Sequence, residues 1–78
     1  MQTLKEIRLM EAMRLGELAE KSGISKGYLS YVERGIKKAT PWTLKKIARA
    51  LGKDFNLILW LHEEQVKNAK TSNQERSS

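Results

Sequence analysis

Residues 17–35 read ELAEKSGISKGYLSYVERG, the pattern of two short helices joined by a tight turn. The first helix is expected over about residues 15–21. Leu18, Ala19 and Ser22 recur at helical spacing and share a face. Ala19 has so small a side chain that another helix can cross close above it. Gly23 stands where the chain must leave the helix sharply, a position that favours positive φ. Ile24, apolar within the turn, suits a plug beneath the two helices. Ser25 has the side-chain oxygen of a good N-cap for a second helix, which ends near Arg34 and stops at Gly35. In that helix Leu29 and Val32 turn inward. Lys26, Gly27, Ser30, Tyr31 and Arg34 are left outside.

A short helix with a Lys, Ser, Tyr and Arg outer face fits a DNA major groove. The same spacing also describes an ordinary helical hairpin with a solvated face. A resemblance separates the two. Leu18-Ala19, Gly23-Ile24-Ser25, Tyr28-Leu29-Ser30 and Val32-Glu33-Arg34-Gly35 together resemble the helix-turn-helix of the Cro/C1-type (xenobiotic-response-element-like) repressor family. TPWTLKKIARALG, residues 40–52, is similar to that family's fourth helix. The resemblance covers about residues 4–52. It implies an all-α, five-helix, lambda-repressor-like fold and sequence-specific binding of double-stranded DNA by a transcriptional regulator. It places base reading on Lys26, Gly27, Ser30 and Tyr31. It also lays the loop after the recognition helix along the DNA backbone.

Composition agrees. The chain has 78 residues, 15 Lys and Arg against 9 acids, and a net charge of +6. A basic small domain is expected to meet a polyanion, and nucleic acid is the first candidate. A domain of this size buries only ~60% of its unfolded surface, so a dimer interface would add useful stability. There is no cysteine and one histidine, His62. That excludes disulfides, thiolate chemistry and zinc fingers, and leaves no expected metal or cofactor. Glu63 and Glu64 point about 100° apart on a helix and do not converge as a catalytic pair. No phosphate-cradling glycine loop appears. An enzyme is not expected. The longest apolar run, residues 57–61, is too short to span a bilayer, and no signal peptide is visible, so a cytoplasmic protein without a membrane partner is expected.

Taken in order, helix one is expected over about residues 3–11, with Thr3 and Glu6 forming a capping box. Leu4, Ile7 and Met10 or Glu11 make its inner stripe, with Lys5, Glu6, Arg8 and Glu11 mostly outside. Residues 12–14 link it to helix two, and Met13 tucks inward. At helix two the sequence departs from the family, which commonly has a capping Ser or Thr at the position of Arg14 and a phosphate-contacting Gln at that of Leu15. Arg14 can supply the phosphate contact by charge. Leu15 cannot hydrogen-bond, though the backbone N–H groups there can still point at a phosphate. In helix three Lys26 can donate to guanine O6 or N7, and Tyr31 can touch a thymine methyl or donate its hydroxyl. Gly27 would let the backbone approach closely. Ser25 joins the phosphate set. Tyr28 has two readings, ring in the core or hydroxyl on a phosphate. Glu33 reads as part of a structural ion pair or cap. Arg34 is divided between a phosphate contact and a local structural role. Lys37 and Lys38 suit the phosphate backbone as flexible point charges.

Thr40 and Pro41 open helix four as cap and first residue. Leu44, Ile47, Ala48 and Leu51 are its buried stripe, and Gly52 ends it. Trp42, in the first turn, either reaches a phosphate with its indole N–H or packs over the domain edge. Asp54 caps helix five, expected over residues 55–67. Its apolar residues cover more than one face, where a surface helix needs a single stripe. Phe55, Ile58, Leu59 and His62 can close the core. Leu57, Trp60, Leu61 and Glu64 would then form an exposed patch, read as a homodimer interface or a surface for a different protein. Residues 1–67 are expected to be the DNA-binding domain, including this dimerisation helix, and residues 68–78 a disordered polar tail.

Two rival functions stand beside a dimeric repressor at a palindromic operator. One is a DNA-binding antitoxin of a toxin–antitoxin pair, against which the short polar tail argues. The other is a protein-interaction module that has lost DNA binding, against which the cationic loop argues.

Overall fold

The structure, a computed structural model, describes the backbone of residues 3–77 and the side chains of residues 3–68. Five helices follow one another: α1 (Leu4–Met10), α2 (Leu15–Ser22), α3 (Lys26–Glu33), α4 (Pro41–Leu51) and α5 (Phe55–Ser77). No strand occurs among the described residues. Local chemistry sets most of the boundaries. Thr3 and Glu6 form the expected capping box at α1. The Ser25 hydroxyl accepts from the Tyr28 amide at 3.3 Å, and Thr40 accepts from the Thr43 amide at 3.2 Å behind Pro41. Asp54 accepts from the Leu57 amide at 3.3 Å. At α2 the cap position is Arg14, and the Glu17 carboxylate reaches back to accept from the Arg14 amide at 3.1 Å. The missing Ser or Thr is thus replaced from within the first turn, and Glu17 there also suits the helix dipole.

Gly23 adopts φ 73° at the corner between α2 and α3. An L side chain is strained in that left-handed region, so this residue sets the turn that orients α3 against α2. The helices close over one core. Leu29 and Val32 of α3 have no exposed surface, and Leu18, Leu44, Ile47 and Ile58 are buried around them. Leu15, Ile24, Tyr28 and Phe55 pack on this cluster while remaining partly exposed. Leu15, where the family commonly has a polar residue, therefore serves packing.

Three readings of the sequence are corrected. Arg8 is not on the outer face of α1: it is only 6% exposed, whereas Met10 is 71% exposed. The inner stripe is Leu4, Ile7 and Arg8, at i, i+3 and i+4. Leu61 is not on an exposed patch but in the core, 2% exposed. The inward stripe of α5 runs Ile58, Leu61, His62 and Val66, while Leu57 and Trp60 stay exposed. Helix α5 also does not end at Lys67 but continues to Ser77. Residues 68–77 contain neither glycine nor proline, so nothing there breaks it. The side chains of residues 69–78 and the backbone of Ser78 lie outside the described residues. Among those that are described, no helix is long and apolar enough to cross a membrane, and no group of three or more His, Asp or Glu could hold a metal ion.

Candidate nucleic-acid interface

Helix α3 turns Leu29, Val32 and Glu33 inward and leaves Lys26, Gly27 and Tyr31 exposed, with Ser30 half-buried. The predicted base-reading residues therefore share the outer side of one helix. An added Cβ at Gly27 would meet nothing within 4 Å. The protein's own packing does not require a glycine there, and the backbone of the first turn of α3 is open to a partner. Tyr31 is flanked by two cations. The Arg34 guanidinium carbon lies 5.1 Å from its ring centroid and Lys37 Nζ lies 5.6 Å from it. Each such contact is worth ~0.5–1 kcal/mol at an exposed site. Together they hold two positive charges at the C-terminal end of α3. Arg34 also donates to the Ser30 carbonyl at 3.4 Å, so its local role is present alongside its free charge.

The remaining candidates surround this face. Arg14, Ser25, Lys37 and Lys38 are exposed. Tyr28 is half-buried with its ring against the core, which favours the packing reading without hiding the residue. Trp42 is 69% exposed, so it does not pack over the domain edge, and Lys46 Nζ lies 6.0 Å from its ring centroid. Trp42, Lys45, Lys46 and Arg49 of α4, with Lys21 and Ser22 of α2, line an open groove of about 530 Å³ that contains no acidic side chain.

Four residues, Arg8, Glu33, His62 and Gln65, position this face through partners that the sequence reading does not supply. Arg8 Nε donates to Glu33 Oε2 at 2.6 Å and Arg8 Nη2 to Glu33 Oε1 at 3.1 Å, while Nη1 donates to the Met13 carbonyl at 2.9 Å. Glu33 is in a structural ion pair as expected, but its partner is on α1, not the neighbouring Arg34. The signal was available: a charged residue on the Leu4–Ile7 stripe needs a buried countercharge. Gln65 of α5 donates to the Glu33 carbonyl. His62 is fully buried, and its Nε2 accepts from the Ala39 amide at 2.9 Å. Burial holds the imidazole below its ordinary pKa of 6.5, opposed by Glu63 and reinforced by Lys38. For Gln65 and His62 no sequence pattern announces a partner 32 and 23 positions upstream, respectively.

This arrangement defines a class: a small helical domain whose second and third helices form a helix-turn-helix with a polar, cationic outer face. The helix-turn-helix family model HTH_3 matches residues 4–58. The chain belongs to this Cro/C1-type helix-turn-helix family. It is similar to the HTH-type transcriptional regulator SutR of Escherichia coli, with 39% identity over 57 residues, 73% of this chain and 32% of that protein. An uncharacterized HTH-type transcriptional regulator of Mycobacterium tuberculosis is 54% identical over 35 residues, 45% of this chain and 25% of its own length. The chain thus spans a third or less of these relatives. The crystal structure of the clp gene regulator ClgR from Corynebacterium glutamicum has the same fold, with a TM-score of 0.70 and 32% identity over 95% of this chain and 80% of that one.

Proposed function

We propose that this domain binds double-stranded DNA sequence-specifically as a homodimer at an approximately palindromic operator, and regulates transcription in the cytoplasm, with repression as the default outcome. The observation that carries the reading is the outer face of α3, where Lys26, Gly27, Ser30 and Tyr31 lie beside the cations Arg34 and Lys37. In this reading Lys26, Ser30 and Tyr31 read bases and the backbone at Gly27 approaches the groove. Arg14, Arg34, Lys37 and Lys38 hold phosphates, with Ser25, Tyr28 and Trp42 as further backbone contacts. Two such helices in successive major grooves require half-sites about one helical turn apart, ~34 Å.

The test is selection from a randomised duplex pool. A palindromic consensus with half-sites one turn apart supports the reading, retention without a consensus reduces it to non-specific coating, and no retention removes it. Lys26→Ala should weaken binding to the selected operator by about 1–3 kcal/mol and relax one base position. Equal loss on every sequence would move Lys26 to the phosphate set. Dimerisation is proposed through the exposed side of α5, on Leu57, Trp60 and the half-buried Glu64; Leu61, being in the core, leaves that set. An aromatic anchor of this kind commonly dominates an interface. Trp60→Ala should therefore shift sedimentation towards monomer. An unchanged mass would place the interface elsewhere or assign this surface to a different protein.

A further inference from the structure

His62 and Gln65 lie three residues apart on α5, and both hold the backbone that joins α3 to α4. His62 Nε2 accepts from the Ala39 amide at 2.9 Å inside the core. Gln65 donates to the Glu33 carbonyl, and its main chain lies against Gly35: a Cβ on Gly35, which has φ 74°, would come 3.1 Å from the Gln65 carbonyl oxygen. Residues 33–39 are thus held at both ends by one helix. Between the two holds lie Arg34, Lys37 and Lys38, three of the four cations assigned to phosphate. We infer that His62 and Gln65 are positioning residues for the DNA contact, fixing the cationic loop and the end of the recognition helix, so that detaching His62 from Ala39 weakens DNA binding while the domain stays folded. The inference deepens the DNA-binding reading and rests on it.

The chemistry of the His62 hold is conditional. Nε2 can accept the Ala39 N–H only while it carries no proton, which places the ring proton on Nδ1. Protonating Nε2 sets a donor against a donor, and the loop loses its anchor. The charged groups acting on the ring are Glu63 of its own helix and Lys38 of the loop. The inward face of α4 brings only Leu44, Ile47, Ala48 and Leu51. The buried cation of α1, Arg8, is paired with Glu33 of α3. The sign is fixed by burial: the folded state favours the neutral ring, so the hold is complete at and above the ordinary pKa of 6.5 and is lost only as pH falls through the folded-state pKa, which burial sets below that value. The chain has one histidine, so few other groups titrate in that window.

The test measures Kd for the selected operator at fixed salt from about pH 7.5 to about pH 5, with far-ultraviolet circular dichroism at each pH. Wild type is compared with His62→Gln, whose amide oxygen can accept the same N–H but does not titrate, and with Gln65→Met. Wild-type binding should weaken progressively on acidification with helix content unchanged, towards a limit of about tenfold, the scale of one buried hydrogen bond. His62→Gln should be flat, and Gln65→Met weaker at every pH. The Ala39 amide resonance should move with the His62 titration. Identical pH profiles for wild type and His62→Gln, or an Ala39 resonance indifferent to His62, would overturn the inference while leaving DNA binding intact. A protein that binds no duplex at the upper pH, while Ala39 still follows His62, would overturn the DNA reading and with it the positioning role.

Discussion

Replacing Arg8 by alanine is expected to destabilise the domain by about 3–5 kcal/mol, a large share of the roughly 5–15 kcal/mol available to a small protein. The pair is bidentate, with both side chains less than 10% exposed. Removing the guanidinium leaves the Glu33 carboxylate buried without its countercharge and the Met13 carbonyl without a donor. For a domain this short that corresponds to a fall of roughly 10 °C or more in Tm, read by thermal or urea melts followed at the helix band. The double substitution Arg8→Met with Glu33→Leu should recover most of the loss, because what costs is the orphaned charge and not the absence of the pair. A single-mutant loss below about 1 kcal/mol would show that the site is wetter than its burial implies.

The helix-turn-helix itself was legible because each of its signals is local. Gly23 at the corner, Ser25 at the cap, and Leu29 and Val32 three apart are read within one turn of chain, and all stand where the spacing puts them. The stripe of α4 was legible for the same reason. Helix α5 was not. Its apolar residues are dense enough that several faces could close the core, and the choice is made by what lies opposite. Leu61 is inward because it shares a stripe with Ile58 and His62, and His62 is inward because Ala39 has an amide to satisfy. The charge of Arg8 points outward but its position does not: at i+4 from Leu4 it falls on the inner stripe, and Glu33 is the acid that permits it. For the outer face of α3, residue type and spacing gave exposure but not the packing of Arg34 and Lys37 against Tyr31, since side-chain contacts across a turn and a loop leave no periodic trace.

Raising salt from about 50 to about 200 mM is expected to weaken operator binding on the order of 10⁴-fold. Four cations per protomer are assigned to phosphate: Arg14, Arg34, Lys37 and Lys38, all exposed. In the proposed dimer they displace about eight counterions, and log K should fall against log salt with a slope near −7. The slope apportions the charges as well as testing them. Lys37→Ala with Lys38→Ala removes about four contacts from the dimer and should flatten the slope by ~3–4. Arg34 is the residue whose count is at issue, because its guanidinium already lies over the Tyr31 ring and its Nε on the Ser30 carbonyl. If it keeps those partners on DNA, it holds Tyr31 for base reading, and Arg34→Ala will leave the slope unchanged while weakening the selected operator more than a random duplex. If it turns to phosphate, Arg34→Ala will flatten the slope by about 2 and weaken both duplexes alike. A wild-type slope near zero would remove the phosphate assignments altogether, since no base-edge contact releases counterions on that scale.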